Sequence, residues 1–212
     1  MKLDKKSLLL YAVTDRMWLS GRKLADDVEK ALLGGATFVQ LREKDASFDM
    51  FVEQAKEVRE VCKKYGVPFV INDNIEVALA VDADGVHVGQ SDMEAGRVRE
   101  KLGENKIIGV STRTVEEALL AQEKGADYLG VGAMFQTSTK LDAADVSFDE
   151  LKEICEAVHI PVVAIGGISN KNVESLEGTN IDGVAVVSAL FAAEDIKKAA
   201  HDMREKLERF IK

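Results

Sequence analysis

A run of charged residues follows an apolar segment in the stretch VQLREKD, residues 39–45. Where a solvent-exposed loop would commonly use Gly, Asn or Pro, this stretch has Arg42, Glu43 and Lys44. The guanidinium of Arg42 offers several planar N–H donors that suit a phosphate group, and Lys44 adds a compact positive charge. These residues therefore predict an anion-binding position at the end of a buried segment.

Two aspartates and a second basic residue stand at similar places further along the chain. Asp73 and Asp92 follow apolar runs, and Lys140 ends the stretch TSTK. Carboxylate oxygens are the ligands that Mg²⁺ prefers, commonly one or two of them together with phosphates of the ligand. We therefore expect an anion site that includes a metal ion.

A second anion site is expected after the last two apolar runs. Gly166 and Gly167 follow one of them, and Val187 and Ser188 end the other. In barrel enzymes a phosphate often binds at these places, against backbone N–H groups at the start of a helix. This site would consist largely of backbone donors rather than charged side chains.

Each of these residues also has an ordinary structural interpretation. Asp73 and Asp92 precede predicted helices, where aspartate is a common N-cap. Arg42 and Glu43 could form a surface ion pair, and the two glycines could mark only a tight turn. His87 lies inside a predicted strand and is expected to be a core residue rather than a catalytic one. Chemistry is favoured because the candidates follow six different apolar runs.

Eight short runs rich in Val and Ile must position these residues, and their nearly continuous hydrophobicity is typical of parallel strands buried on both faces. The runs are LLLYAVT (8–14), GGATFVQL (34–41), VPFVIND (67–73), DADGVHVG (82–89), KIIGVS (106–111), GADYLGVG (125–132), IPVVAIGG (160–167) and NIDGVAVVS (180–188). Helical patterns separate most of them. Predicted capping boxes are Thr114 with Glu117 and Ser147 with Glu150.

This alternation predicts an α/β fold, a (β/α)₈ barrel that forms one domain over residues 1–212. In such barrels the active site lies at the carboxyl ends of the strands, so all the candidates would share one rim. One helix is predicted to bury Val52, Ala55, Val58 and Cys62. A doubly wound open sheet is the alternative, but the stretch YAVTDRMWLSG lacks the GxGxxG turn expected after its first strand.

Composition excludes several classes of function. With 28 Lys and Arg against 37 Asp and Glu, a net charge of −9 argues against a nucleic-acid surface. No apolar run approaches the roughly 18 residues that cross a bilayer, and the basic, then apolar N-terminus has no small-residue cleavage site. Cys62 and Cys155 lack metal-binding or disulfide spacing, so we expect free thiols and a cytoplasmic location. The sequence leaves a homo-oligomer open.

Together the motifs resemble those of the thiamine phosphate synthase family. They are YAVTD, VQLREKD, FVINDNIEVALAVDADGVHVGQSDM, IIGVS, ADYLGVGAMFQTSTK, VVAIGGIS and DGVAVVSAL, in the order and spacing of that family over nearly the whole chain. The resemblance implies a Mg²⁺-dependent transferase that joins two phosphorylated small molecules, a hydroxymethylpyrimidine diphosphate and a thiazole phosphate. Pyrophosphate would leave before the thiazole attacks, through a pyrimidine carbocation.

The resemblance also implies roles for individual residues. Asp73 and Asp92 would bind the metal. The pyrimidine diphosphate would contact Gln40, Leu41, Arg42, Glu43, Lys44, Asn72, Ser111 and Lys140, of which Arg42, Lys44, Ser111 and Lys140 are the expected catalytic residues. The thiazole phosphate would contact Thr137, Ser138, Thr139, Gly167, Val187 and Ser188. The segment TSTKLDAADVS is the candidate lid that keeps water from the cation.

The sequence departs from the family pattern at three positions. Two other functions are alternatives to the synthase. Gln136 replaces a common Pro, Phe148 a common Gly and Arg113 a frequent His. A thiazole tautomerase would need a proton-transferring group, commonly that His, and no metal pair. A non-catalytic phosphate-ligand sensor would need no metal carboxylates. Arg113, together with Asp73 and Asp92, argues against the tautomerase, and the complete set of both half-sites argues against the sensor.

Overall fold

Eight parallel strands close into a barrel in chain order, which confirms the predicted (β/α)₈ fold. The computed structural model describes residues 3–19, 21–89, 95–136 and 146–211. The strands are β1 Leu10–Val13, β2 Phe38–Leu41, β3 Phe69–Asn72, β4 Gly85–Val88, β5 Ile107–Thr112, β6 Tyr128–Val131, β7 Val162–Ile165 and β8 Gly183–Val186. The first strand pairs with the last, so the described strands leave no open sheet edge.

Helices cover the outside of the barrel. They are α1 Leu24–Leu33, α2 Phe48–Tyr65, α3 Ile75–Ala80, α4 Ala95–Leu102, α5 Val115–Glu123, α6 Phe148–Ala157, α7 Ser188–Phe191 and α8 Ile196–Phe210. Short 3₁₀ helices lie at Lys5–Leu8, Arg16–Trp18 and Val173–Leu176, and the last of these connects β7 to β8. No helix in the described ranges is long and apolar enough to span a membrane.

The strands separate two hydrophobic cores. A small core inside the barrel contains the rings of Tyr11, Phe38 and Tyr128, and a larger one lies between the strands and the helices. Alternate residues of each strand face one core or the other. A polar side chain in a strand is therefore buried and needs a hydrogen-bonding partner. This burial on both faces explains the continuous apolar runs of the sequence.

Two local predictions about helices need correction. The buried stripe of α2 contains Phe51, Ala55, Val58 and Cys62, whereas Val52 is only partly buried. At α5, Thr114 caps the helix as predicted, but Glu117 accepts from the backbone N–H of Arg113 rather than from the cap residue itself. The capping box of Ser147 and Glu150 forms in full at α6.

Both cysteines are free thiols, as predicted. Burial raises the pKa of the Cys62 thiol to about 12 and that of Cys155 to about 12. Because the thiolate is the reactive form, this burial disfavours reaction of both side chains at neutral pH.

Candidate active site

A cleft of about 350 Å³ opens where β2 and β3 end, at the rim formed by the carboxyl ends of the strands. Its lining is mostly polar, and half of the lining residues are charged: Arg42, Glu43, Lys44, Ala46, Phe51, Asn72, Asp73 and Asn74. The order β1–β8 places the two strands side by side, with Leu41 opposite Ile71. Residues far apart in sequence thus combine two cations and a carboxylate in one concave surface.

The segment that follows β1 holds Arg42 in place. The backbone N–H of Arg42 donates to Thr14 Oγ1 at 3.0 Å, and its guanidinium Nη1 lies 3.4 Å from Asp15 Oδ2. The Arg42 side chain is only 14% exposed. Lys44, in contrast, is exposed and forms no ion pair with any residue in the described ranges. The cleft therefore has one fixed cation and one free to follow a ligand.

Glu43 is among the residues that line the cleft, but its carboxylate is buried against the segment after β1. Its carboxylate is 1% exposed and lies 3.2 Å from Arg16 Nε, so Arg42 and Glu43 each pair with the segment after β1 and not with one another. Burial raises the pKa of Glu43, and the charge of Arg16 opposes that shift only in part. The predicted surface ion pair is wrong, and the placement of Glu43 favours support of the rim over contact with an anion.

The end of β3 presents Asp73 to solvent. Its backbone has φ +59°, a left-handed conformation that costs a non-glycine residue on the order of 1 kcal/mol. The Asp73 N–H donates to the His87 carbonyl at 2.9 Å, and the amide of Asn72 donates to the Asp73 carboxylate. The cap of α3 is Asn74, which accepts from Val77 N–H, so the N-cap interpretation of Asp73 is wrong.

Two predicted ligand-contacting side chains bond to buried residues inside the barrel. Gln40 is 3% exposed, and its amide donates to the Tyr11 hydroxyl at 2.5 Å. The Ser111 hydroxyl lies 2.9 Å from His87 Nε2. Leu41, the residue between Gln40 and Arg42, is fully buried in the outer core. Its side chain cannot reach the rim, so only its backbone is available to a ligand.

The opposite part of the rim, after β7 and β8, carries no charged candidate. Gly166 has φ +99° and Gly167 has φ +64°, and a Cβ on Gly167 would lie 2.6 Å from the Gln136 carbonyl oxygen. Glycine is therefore required for both conformation and space. Val187 precedes α7, and exposed Ser188 begins it, so the first N–H groups of this short helix have no partners within the helix.

Comparison with known proteins identifies the family. A family model described as thiamine monophosphate synthase matches residues 10–190. The chain belongs to the thiamine monophosphate synthase family. Membership makes it a transferase, as the sequence predicted.

Relatives within the thiamine monophosphate synthase family cover almost the whole chain. A thiamine-phosphate synthase of Clostridium tetani is 54% identical over 194 residues, which are 92% of this chain and 93% of the relative. A solved thiamine phosphate pyrophosphorylase of Pyrococcus furiosus has a TM-score of 0.91 and 42% identity, covering 98% of this chain and 99% of that one.

A geranylgeranylglyceryl phosphate synthase of Thermoplasma acidophilum, at 12% identity and TM-score 0.67, shares the fold alone.

All the site residues assigned by resemblance to this family stay predictions, and five of them lie outside the described ranges. The five are Asp92, Thr137, Ser138, Thr139 and Lys140, and most of the candidate lid lies there too. At the end of that segment, Val146 N–H donates to the Ala133 carbonyl at 2.8 Å. Phe148 packs edge-to-face on Phe135 at 5.9 Å, so the departure from Gly adds an aromatic contact.

Sequence reasoning missed the residues that support the site from behind. Asp15 and Arg16 pair with two adjacent residues of VQLREKD, and Tyr11 and Tyr128 bond to Gln40 and His87. The motif YAVTD was an available signal for Tyr11 and Asp15, and ADYLGVGAMFQTSTK was one for Tyr128. Within the described ranges, no group of three or more His, Cys, Asp or Glu could hold a metal ion by itself.

Proposed function

We propose that this chain couples 4-amino-5-hydroxymethyl-2-methylpyrimidine diphosphate with 4-methyl-5-(2-hydroxyethyl)thiazole phosphate to give thiamine phosphate and pyrophosphate. The observation that carries the proposal is the cleft between β2 and β3, which combines Arg42, Lys44 and Asp73 in a member of this family. Two cations beside a carboxylate suit a diphosphate that binds together with a metal ion.

The diphosphate would bind in this cleft. Arg42 offers a bidentate set of N–H donors, and its contacts to Thr14 and Asp15 orient that set before the ligand arrives. Lys44 supplies a mobile charge, and the Asn72 amide supplies a neutral donor. We assign the remaining contacts to Gln40, Ser111 and, from outside the described ranges, Lys140.

The bond that breaks joins the pyrimidine methylene to the diphosphate oxygen, and its electron pair leaves with pyrophosphate. The thiazole nitrogen then donates its lone pair to the methylene carbon, so no proton need be transferred. The barrier falls if the leaving group's growing charge meets donors that are already oriented. Arg42 and Lys44 would have this function, and a thiazole held nearby would supply proximity.

Magnesium fits the donors that are present, although not as an ion held by protein alone. Asp73 offers an exposed carboxylate at the cleft, and one or two carboxylates with ligand phosphates is a common Mg²⁺ arrangement. We assign Asp73 and, by resemblance, Asp92 as its ligands. When bound, Mg²⁺ would neutralise charge on the departing pyrophosphate.

The thiazole phosphate would bind at the part of the rim after β7 and β8. Gly167 brings its backbone close to the chain after β6, and Val187 and Ser188 lie at the start of α7. Backbone N–H groups at a helix start favour an anion. Thr137, Ser138 and Thr139 would complete the site from the candidate lid.

Incubation of the purified chain with both half-substrates and Mg²⁺ tests the proposal. We expect thiamine phosphate and pyrophosphate in equal amounts, measured by chromatography and by a pyrophosphate-release assay, and loss of both when a chelator removes the metal. Isomerisation of the thiazole phosphate alone would instead support a tautomerase. Binding of either substrate with no product would support a sensor.

A further inference from the structure

Three consecutive residues after β1 contact two consecutive residues after β2. Thr14 Oγ1 accepts from the backbone N–H of Arg42 at 3.0 Å, and Asp15 Oδ2 lies 3.4 Å from Arg42 Nη1. Arg16 Nε lies 3.2 Å from the Glu43 carboxylate. Arg42 is a proposed contact of the diphosphate, whereas neither Asp15 nor Arg16 has an assigned role in the reaction.

The backbone of Arg42 is held from both directions along the chain. Leu41, the residue before it, is the last residue of β2. Glu43, the residue after it, is paired with Arg16 and also accepts from the side-chain amide of Gln54 at 2.8 Å, in the amide orientation that satisfies both neighbours. With the backbone fixed on both sides, only the side-chain torsions of Arg42 remain to be set.

Asp15 is itself oriented by the backbone around it. Its Oδ1 accepts from the Met17 N–H at 2.9 Å, because Asp15 is the N-cap of the 3₁₀ helix Arg16–Trp18, and its Oδ2 is left to face Arg42. Both side chains of the Asp15–Arg42 pair are mostly buried. Water and salt screen such a pair less than one on the open surface, so it can hold the guanidinium in one direction.

The position of Asp15 determines which edge of the Arg42 guanidinium is left for a ligand. Asp15 contacts the Nη1 side. The hydrogens of Nε and Nη2 lie side by side along another edge, and no residue in the described ranges bonds to either nitrogen. Two parallel donors of this kind match two oxygens of a phosphate. Since Arg42 lines the cleft, this edge is the part of the side chain that suits an anion there.

We propose that Asp15 is a positioning residue, which occupies the Nη1 side of Arg42 and so reserves the Nε–Nη2 edge for the leaving diphosphate. This inference rests on the proposed function for the identity of that anion. A carboxylate beside the site also repels an anionic ligand. Orientation of Arg42, and not the charge of the site, therefore explains an aspartate at this position.

Asp15→Asn tests the role of the carboxylate. Asparagine is also a good N-cap, so the melting temperature should be kept while the attraction for Arg42 is lost. A binding group misplaced by about 1 Å can cost roughly 100-fold in rate, and a mobile guanidinium still visits the correct position, so we expect kcat/KM for the pyrimidine diphosphate to fall about tenfold. The KM for the thiazole phosphate should not change.

Asp45→Asn is the matched control. Asp45 is exposed, directly follows Lys44, and forms no ion pair with any residue in the described ranges. Its substitution removes the same charge from the neighbourhood of the cleft and leaves the Asp15–Arg42 pair intact, so kcat/KM should stay at or slightly above the wild-type value. A fall as large as that of Asp15→Asn would overturn the proposal.

A double-mutant cycle shows whether Asp15 acts through Arg42. Lysine has no Nε–Nη2 edge, so in the Arg42→Lys background the carboxylate has no edge to reserve, and Asp15→Asn should cause no further loss. Equal losses in both backgrounds would mean that Asp15 acts independently of Arg42. That result would contradict a positioning role, and so would a lower melting temperature of Asp15→Asn with unchanged kcat/KM.

Calorimetry with Mg²⁺ and inorganic pyrophosphate repeats the comparison without turnover. We expect the Kd of Asp15→Asn to be about three- to tenfold above that of the wild type, the range for a long side chain that the ligand must order, and the Kd of Asp45→Asn not to rise. Tighter binding by Asp15→Asn would show that the carboxylate only offsets charge, and no binding by the wild type would remove the anion from this edge. Either result would overturn the proposal.

The calorimetry also separates this inference from the proposed function. If the wild-type chain binds pyrophosphate with the expected pattern but forms no thiamine phosphate, the proposed function fails and the positioning role of Asp15 stands. If thiamine phosphate forms but Asp15→Asn matches the wild type in both assays, the function stands and the positioning role fails.

Discussion

The two anion sites proposed at the rim consist of different chemical groups, charged side chains in one and backbone groups in the other. The side at β2 and β3 uses charged side chains, with Arg42, Lys44 and Asp73 around one cleft. The side at β7 and β8 uses backbone, with Gly167 at φ +64° and Ser188 at the start of a helix. One side therefore depends on charge and the other on conformation.

The two sides need different support from the rest of the fold. A charged side needs partners that keep its groups aimed, and the segment after β1 supplies them through Asp15 and Arg16. A backbone side needs room, since a single added methyl group at Gly167 meets the carbonyl oxygen of Gln136. Substitutions should consequently affect the first side electrostatically and the second sterically.

The largest effect is expected from Asp73→Asn. Asparagine tolerates a left-handed backbone as well as aspartate does, so the local structure at φ +59° should be kept while the metal-binding charge is lost. We expect kcat/KM to fall about 100-fold or more, with a higher Mg²⁺ requirement and an unchanged melting temperature. Turnover assayed over a range of Mg²⁺ concentrations, together with thermal unfolding, measures both.

Asp82→Asn is the matched control for this prediction. Asp82 also has a left-handed backbone, at φ +50°, and its carboxylate pairs with Arg59 and Lys106 on the outer surface. It should lose no activity at any Mg²⁺ concentration. Wild-type turnover in Asp73→Asn would mean that the cleft works without this carboxylate. It would contradict the claim that the side at β2 and β3 depends on charge.

A steric effect of intermediate size is expected from Gly167→Ala. Alanine at φ +64° carries a backbone cost of about 1–2 kcal/mol, and the contact with Gln136 adds about 1–3 kcal/mol more. Relief of that contact would move the backbone, so the KM for the thiazole phosphate should rise about tenfold. The KM for the pyrimidine diphosphate should stay near that of the wild type.

Gly66→Ala separates the backbone cost of the left-handed conformation from the cost of the steric contact with Gln136. Gly66 has φ +65° and no atom within 4 Å of an added Cβ, so its alanine variant has the backbone cost alone. Urea unfolding of both variants should show Gly167→Ala as the less stable one. Equal stabilities and an unchanged thiazole phosphate KM would contradict the assignment of this glycine to a crowded, ligand-binding backbone.

The sequence predicted the strands well because burial on both faces leaves a direct signal. Seven of the eight apolar runs each contain one observed strand, and the fifth run, 106–111, ends one residue before β5 does. Gln40 and Asn72 lie at or next to the strand ends as expected. The residues at the border of a helix's buried face were predicted less accurately. A period of 3.6 residues places Val52 near the border of the buried face, and packing against the barrel selects Phe51 instead.

Partnerships across strands could not be predicted from local patterns. Arg42 and Asp15 are 27 residues apart, and they meet because β1 pairs with β2. Likewise, His87 has the burial expected of a core residue, but its bonds to Tyr128 and Ser111 depend on the register of three adjacent strands. Residue types predict what a side chain can do, whereas register determines which partner it meets.

The smallest expected effect concerns the buried support of the charged side, Glu43. Because burial raises its pKa in the folded chain, the folded state binds this proton more tightly than the unfolded state does. The contribution of Glu43 to stability is therefore most favourable at low pH. It declines as pH rises from the ordinary glutamate value through the raised folded value. Glu43→Gln stays neutral and should lack this decline.

Urea unfolding of the wild type and of Glu43→Gln at about pH 4 and about pH 7 measures the difference. We expect the wild type to lose stability relative to the variant as pH rises, because the carboxylate loses more by desolvation than Arg16 returns. The opposite slope would mean that the ion pair outweighs the burial. Glu43 would then stabilise the rim as an anion, and even the supports of the charged side would depend on charge rather than on packing.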